Sequence, residues 1–156
     1  VFTNKTIVTF LKGMGHYHQK NFSAMETLFL DYLKEHPEDD IILNAYGYSL
    51  LEYDPSRAEE ALTYMLKADE LNPNQDFIED SIGWAYYHLD KLDEAEYYLT
   101  RAFNKSKVPE MIAHYLHLQN RLENFEVIDE LYPKFKQLFP ENRFLHELQK
   151  RYEWAD

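Results

Sequence analysis

Tyr46-Gly47-Tyr48, followed by Ala61, Ala68 and Pro73, and Ile82-Gly83-Trp84, followed by Ala95 and Ala102, are two copies of one pattern. In each, a glycine inside one helical stretch precedes two alanines, seven residues apart, in the next. The spacing has a steric meaning: antiparallel helices approach closely only where their crossing points carry Gly or Ala, and a proline then ends the pair. A looser copy lies upstream as Gly13, Met25, Phe29, Tyr32 and Pro37, and a degenerate one downstream as Leu116, Ile128, Tyr132, Phe135 and Pro140. Aligning Met25, Ala61, Ala95 and Ile128 gives steps of 36, 34 and 33 residues.

That period and its Gly/Ala/Ala/Pro skeleton resemble the tetratricopeptide repeat, a helix–turn–helix unit that stacks into a solenoid. The resemblance implies an all-α, right-handed α-solenoid of about four helix pairs plus a C-terminal capping helix, nine helices in one domain over residues 1–156. The repeats fall at about 6–39, 40–75, 76–108 and 109–142, with the cap at about 143–155. A longer run is more specific. It passes from Asn44-Ala45-Tyr46-Gly47-Tyr48-Ser49-Leu50 through Ala68-Asp69-Glu70-Leu71-Asn72-Pro73 to Asp80-Ser81-Ile82-Gly83-Trp84-Ala85-Tyr86-Tyr87, then Pro109-Glu110-Met111-Ile112-Ala113-His114. It is similar to the C-terminal repeats of bacterial tetratricopeptide proteins, many of them envelope-associated or lipid-anchored, over residues 40–145. This implies a protein-binding or assembly module with no defined chemistry, and leans the localisation toward a bacterial envelope or periplasm, with the cytoplasm as the alternative.

Composition agrees with one domain. The chain has 156 residues, 45% hydrophobic and 16% aromatic, enough for a continuous core. Its formal net charge is −12. Nucleic acid and anionic membranes attract clustered Lys and Arg, so neither is an expected partner, whereas basic or neutral proteins are. There is no cysteine, which excludes disulfides and thiolate chemistry. No apolar run approaches the ~20 residues needed to span a bilayer. The chain opens Val1-Phe2-Thr3-Asn4 without an initiator Met or a signal-peptide pattern, which reads as a piece of a longer product.

Along the chain, helices are expected over about 6–17, 23–35, 41–52, 57–71, 77–89, 92–103, 109–122, 125–138 and 143–154. Residues 1–5 read as a ragged start. Ser23 with Glu26, Ser56 with Glu59, and Asp76 with Glu79 fit capping boxes, in which two side chains satisfy orphaned backbone donors. Asp39 and Asp40 sit at the positive end of the next helix. Pro133 should kink or break its helix, because an interior proline costs ~3 kcal/mol. Leu145, Leu148 and Tyr152 line one face of the last helix, as a cap over the final repeat requires.

In such solenoids the first helices of successive pairs line a concave groove. Residues three or four apart, opposite the small packing residue, should face it. These are Phe10, Met14 and Tyr17; Asn44, Tyr48 and Leu51; Phe77, Asp80, Trp84 and Tyr87; and Ala113, His117 and Asn120. The binding set is taken as Asn44, Tyr48, Leu51, Phe77, Asp80, Trp84, Tyr87 and His117. It forms an aromatic trough suited to an extended peptide or a partner's helix, with Asn44 bonding a backbone and Asp80 pairing with a Lys or Arg. The competing reading packs these aromatics against neighbouring repeats or the chain's own ends. Some proteins of this kind hold a terminal carboxylate through Lys, Asn and Arg spread over three repeats; only Asn44 is comparable here, so that mode is not expected.

Signals for chemistry are weak. His16 and His18 lie ~200° apart on a helix and cannot share a metal. His114 and His117, at i and i+3, could chelate zinc, but no third ligand accompanies them, and two half-exposed helix histidines are the simpler reading. Gly13-Met14-Gly15 is too short for a phosphate loop. Asp39/Asp40 and Asp93/Glu94 fall at helix starts. Asn4-Lys5-Thr6, Asn21-Phe22-Ser23 and Asn104-Lys105-Ser106 match the glycosylation acceptor pattern, which the bacterial resemblance implies is idle, and Asn21 and Asn104 fit turns regardless. The chain is expected to be neither an enzyme nor a cofactor or metal binder. Two functions are left: a groove that captures another protein as a scaffold or adaptor, and a structural module that self-associates.

Overall fold

The computed structural model describes residues 3–143 and 146. Eight α-helices follow one another among these residues: α1 Asn4–His18, α2 Phe22–Glu35, α3 Asp40–Tyr53, α4 Ala58–Leu71, α5 Asp76–His88, α6 Leu92–Lys105, α7 Pro109–Arg121 and α8 Phe125–Leu138. A 3₁₀ turn, Pro55–Arg57, precedes α4. Each helix packs on the next, and α1, α3, α5 and α7 also contact one another in sequence. This is a helical-repeat stack with the odd-numbered helices on one side.

The glycines set how closely the pairs cross. A Cβ built on Gly47 would lie 2.8 Å from the Ala61 carbonyl oxygen, and one on Gly83 would lie 2.6 Å from Leu99 Cγ. A Cβ on Gly13 would fall inside the Phe29 ring. Ala61, Ala68, Ala95 and Ala102 are fully buried on the facing helices. Around these crossings one apolar core runs through Met25, Phe29, Tyr46, Leu50, Met65, Ile78 and Ile82. A separate cluster of Ile112, Ala113, Leu116 and Ile128 serves α7 and α8.

Three of the four turns within pairs share one geometry. Lys20, Asp90 and Glu123 hold positive φ of 58–59°. The following residue's N–H reaches back to close each turn: Asn21 to His16 O at 2.9 Å, Lys91 to Tyr86 O at 3.0 Å, Asn124 to Gln119 O at 2.9 Å. One left-handed residue reverses the chain and satisfies the helix's last carbonyls. The longer connector of the second pair uses the 3₁₀ turn instead, with the Asp54 side chain accepting from Ser56 N–H at 3.2 Å.

Several local expectations are corrected. Helix α1 starts at Asn4, because Thr3 and Thr6 form a capping box. Asn21, not Ser23, caps α2, and neither Ser56 nor Asp76 is a side-chain N-cap. Two of the acids of those supposed boxes reach other helices instead, Glu26 in the next repeat and Glu79 within its own. Glu26 accepts from Tyr46 Oη at 3.0 Å, from Tyr53, and from Arg57 at 2.9 Å. Glu79, nearly buried, holds Arg101 at 2.7 Å and Lys105 at 2.6 Å. Asp39 does cap α3, accepting from Ile42 N–H at 3.1 Å, and also receives Thr6 and Tyr32 hydroxyls at 2.7 Å.

Helix α8 runs unbroken through Pro133. Pro133 and Asp129, whose carbonyl loses its partner, are both exposed, so water can take up the freed acceptor. The expected cap, with Leu145, Leu148 and Tyr152, lies outside the described residues apart from its helical beginning at Arg143.

The two helical glycines of α1 and α3 that differ most in surroundings give a test. Gly47→Ala should lower the melting temperature, because ~1–3 kcal/mol of overpacking outweighs the ~1 kcal/mol helix-propensity gain. Gly15, with nothing within 4 Å of a built Cβ, has only the gain, so Gly15→Ala should raise it. Thermal melts followed by circular dichroism check both signs.

Candidate functional site

Between the odd-numbered helices lies a cleft of about 1000 Å³. Helix α1 supplies one wall through Ile7, Phe10, Leu11, Met14, Tyr17 and His18. Its apolar residues fall at i, i+3, i+4 and i+7, the period that places them on one helix face. The floor comes from the first two-thirds of α3 and the N-terminal half of α5: Ile41, Asn44, Ala45, Tyr48 and Ser49, then Asp76, Phe77, Asp80 and Ser81. The far side is closed by Ser106, Val108, Glu110, Met111 and Arg143.

Of the eight residues chosen from sequence, Asn44, Tyr48, Phe77 and Asp80 line the cleft, and Leu51, Trp84, Tyr87 and His117 do not. Leu51 is fully buried in the main core. Trp84, only 5% exposed, stacks on His114 at 4.1 Å and on Tyr87 at 4.7 Å between ring centroids, and donates through Nε1 to Glu52 at 2.9 Å. His117 is buried edge-on to Trp84. The placement has a physical reason. The helical period selects a face but not how far along the helix the cleft extends, and here it stops at Ser49 on α3 and at Ser81 on α5. One or two turns further on, the same face packs against the next repeat.

Phe10, Met14 and Tyr17 line the cleft as expected, whereas Ala113 is fully buried outside it. Ile7 and Leu11 were missed, although their spacing from Phe10 and Met14 is itself a helical signal. Val108, Glu110 and Arg143 had no such signal, since only the path of the α6–α7 connector and of the chain after α8 brings them here.

The polar groups are unevenly satisfied. Tyr48 donates to Glu110 Oε1 at 2.5 Å, and burial together with Glu110 pushes its phenol well above the ordinary value. Arg143 bonds Glu52 at 2.8 Å. Asp80 Oδ2 meets His114 Nδ1 at 2.9 Å, while Asp80 Oδ1 and Asn44 Oδ1 are buried without a hydrogen-bond partner. His114 and His117 are buried rather than half-exposed. Among the described residues, no group of three or more His, Asp or Glu is placed to hold a metal ion, and no helix is long and apolar enough to cross a membrane.

Burial alone would lower the His114 pKa, but Asp80, Glu110 and Glu52 outweigh it and the net shift is upward. A histidine whose folded pKa exceeds its unfolded value stabilises fully below about pH 6.5, and that stabilisation is lost as pH rises through the folded pKa. His88 is shifted down by burial and acts with the opposite sign, below that range. Melting temperature should therefore fall as pH rises above 6.5. Asp80→Asn, which removes the main charge holding the proton, should flatten that fall. A pH series of melts on both proteins tests it.

The comparisons with known proteins bear on the fold. No family model matches the sequence. A TPR repeat-containing protein of Pseudomonas aeruginosa is 35% identical over 105 residues, 67% of this chain, and the chain spans 18% of that protein's length. Among solved structures, PilF of Pseudomonas aeruginosa superposes with a TM-score of 0.70 at 18% identity, covering 94% of this chain and 66% of that one. A thermophilic TPR protein of Thermus thermophilus superposes at 0.56 and 20% identity, covering 96% of this chain and 98% of that one. The fold is that of the tetratricopeptide repeat, a general scaffold for protein–protein interaction.

Proposed function

We propose that this tetratricopeptide-repeat chain is a binding module whose concave cleft takes a segment of another protein, peptide or helix, and holds it within a larger assembly. The observation that carries the reading is the cleft itself. It is large enough for several side chains, its α1 wall is apolar, and Leu11 and Val108 on its rim are 62% and 43% exposed. Apolar side chains left in water at a concave surface favour a partner that covers them. The acidic balance of the chain argues against nucleic acid. We read the chain as non-enzymatic, with Glu26, Glu79 and one oxygen of Asp80 engaged in Tyr, Arg, Lys and His contacts between helices. The resemblance to envelope-associated repeat proteins supports a bacterial envelope location, which fractionation of cells making the full-length protein would check.

Trp84 is a poor probe of the cleft, since truncating so buried a ring costs ~3–5 kcal/mol of stability. Rim residues separate binding from folding. With a photo-crosslinking amino acid at Leu11 or at Val108, one discrete partner adduct should form in cells. The same group at Tyr97, 57% exposed on α6 and outside the cleft, should give none. Adducts of equal yield from all three positions would sink the cleft reading. An adduct with a second copy of the chain would move the function to self-assembly.

A further inference from the structure

Asn44 and Asp80 occupy the same position in successive repeats, each three residues before the crossing glycine, Gly47 or Gly83. Both line the cleft, both are more than nine-tenths buried, and each keeps one side-chain oxygen without a hydrogen-bond partner. A buried acceptor without a donor costs about 1–3 kcal/mol, more if charged, so two in register along one floor are an expensive arrangement for packing alone. Neither can be satisfied by an acceptor; only a donor relieves them.

The surrounding charge says what kind of donor. Asp76 and Glu110 line the same cleft, and the basic side chains on its wall are His18 and Arg143, the latter bonded to Glu52. His114 occupies only Oδ2 of Asp80. The terminal torsion of a carboxylate is soft, so a tilt of the group brings Oδ1 toward the lumen without movement of α5, with Oδ2 shifting against His114 Nδ1 as it does. Apolar residues of α1 and Phe77 flank this point.

We propose that the cleft selects segments in which a lysine or arginine lies between apolar residues, the cation being received by Asp80 Oδ1 and the apolar side chains by Phe10, Met14 and Phe77. This rests on the cleft reading above and adds the chemistry of the partner. Asn44 Oδ1, one repeat away, accepts an N–H of the same segment. A second copy of this chain, with its net charge of −12, is the poorer occupant. Charge complementarity of this kind governs choice of partner more than total affinity.

Random 12-residue peptides displayed on phage are selected on the immobilised chain and the winners synthesised. They should carry Lys or Arg beside apolar residues. Replacing that residue by norleucine should weaken binding to the unaltered chain about tenfold or more. Asp80→Asn should lose a similar factor and no longer distinguish the two peptides, as a double-mutant cycle requires. Winners without a basic residue, or discrimination that persists in Asp80→Asn, would overturn the assignment while leaving the cleft reading intact. The norleucine comparison uses the unaltered chain and stands whether or not the variant folds. If no peptide is selected, or if Leu11→Glu leaves binding of every winner unchanged, the cleft reading itself fails.

Discussion

The contact on which the rest of the structure depends is the bare backbone of Gly47 and Gly83 against the helix that follows each. With a carbonyl oxygen or a leucine where a Cβ would stand, the two helices of a pair are locked at close range. The alanines opposite keep that range along the crossing. Close crossing within pairs leaves the bulky residues, Tyr46, Ile78 and Ile82 among them, to fill the space between pairs. The distance between successive odd-numbered helices follows from those large side chains, and the cleft is the concavity that results. A change at a glycine would thus reach the cleft through the packing, without touching it.

Polar residues then fix the register between helices, within repeats as well as between them. Asp39 gathers Thr6, Tyr32 and the start of α3; Glu26 gathers Tyr46, Tyr53 and Arg57; Glu79 gathers Arg101 and Lys105; Asp80 reaches His114. Each acid binds a donor from a different helix. Partly buried charges are tolerable only when paired and hydrogen-bonded, and a shifted register would strand them. The same residues that make the chain so acidic therefore help specify the stack.

This explains which parts of the fold were legible in the sequence. Gly13, Gly47 and Gly83 with the alanine pairs announce the helix pairs, because steric closeness admits few residue types. Glu26 and Glu79 were misread as halves of capping boxes, since a Ser or Asp three residues before a Glu looks the same whether the Glu turns back to its own helix or out to another. The candidate site was half legible. The period placed Asn44, Tyr48, Phe77 and Asp80 in the cleft, but Leu51, Trp84 and His117 share that face and are buried. Depth along a helix depends on how the next repeat leans, and no local pattern encodes it. Arg143 could not be assigned at all, because its place comes from the path of the chain beyond α8.

The arrangement of the floor has a consequence for binding. Asp80 lines the cleft, with its Oδ2 bonded to His114 of the next repeat and its Oδ1 buried without a hydrogen-bond partner. If the cleft takes a donor at Asp80 as proposed, that donor and the proton between Asp80 and His114 draw on the same carboxylate, and occupancy and the α5–α7 junction are then reciprocally linked. Trp84, stacked on His114 and bonded to Glu52, braces that junction from behind. Of the aromatic residues that the helical period assigned to the groove, Tyr48 and Phe77 line the cleft, while Trp84 and Tyr87 lie outside it, Trp84 stacked on the histidine that Asp80 bonds.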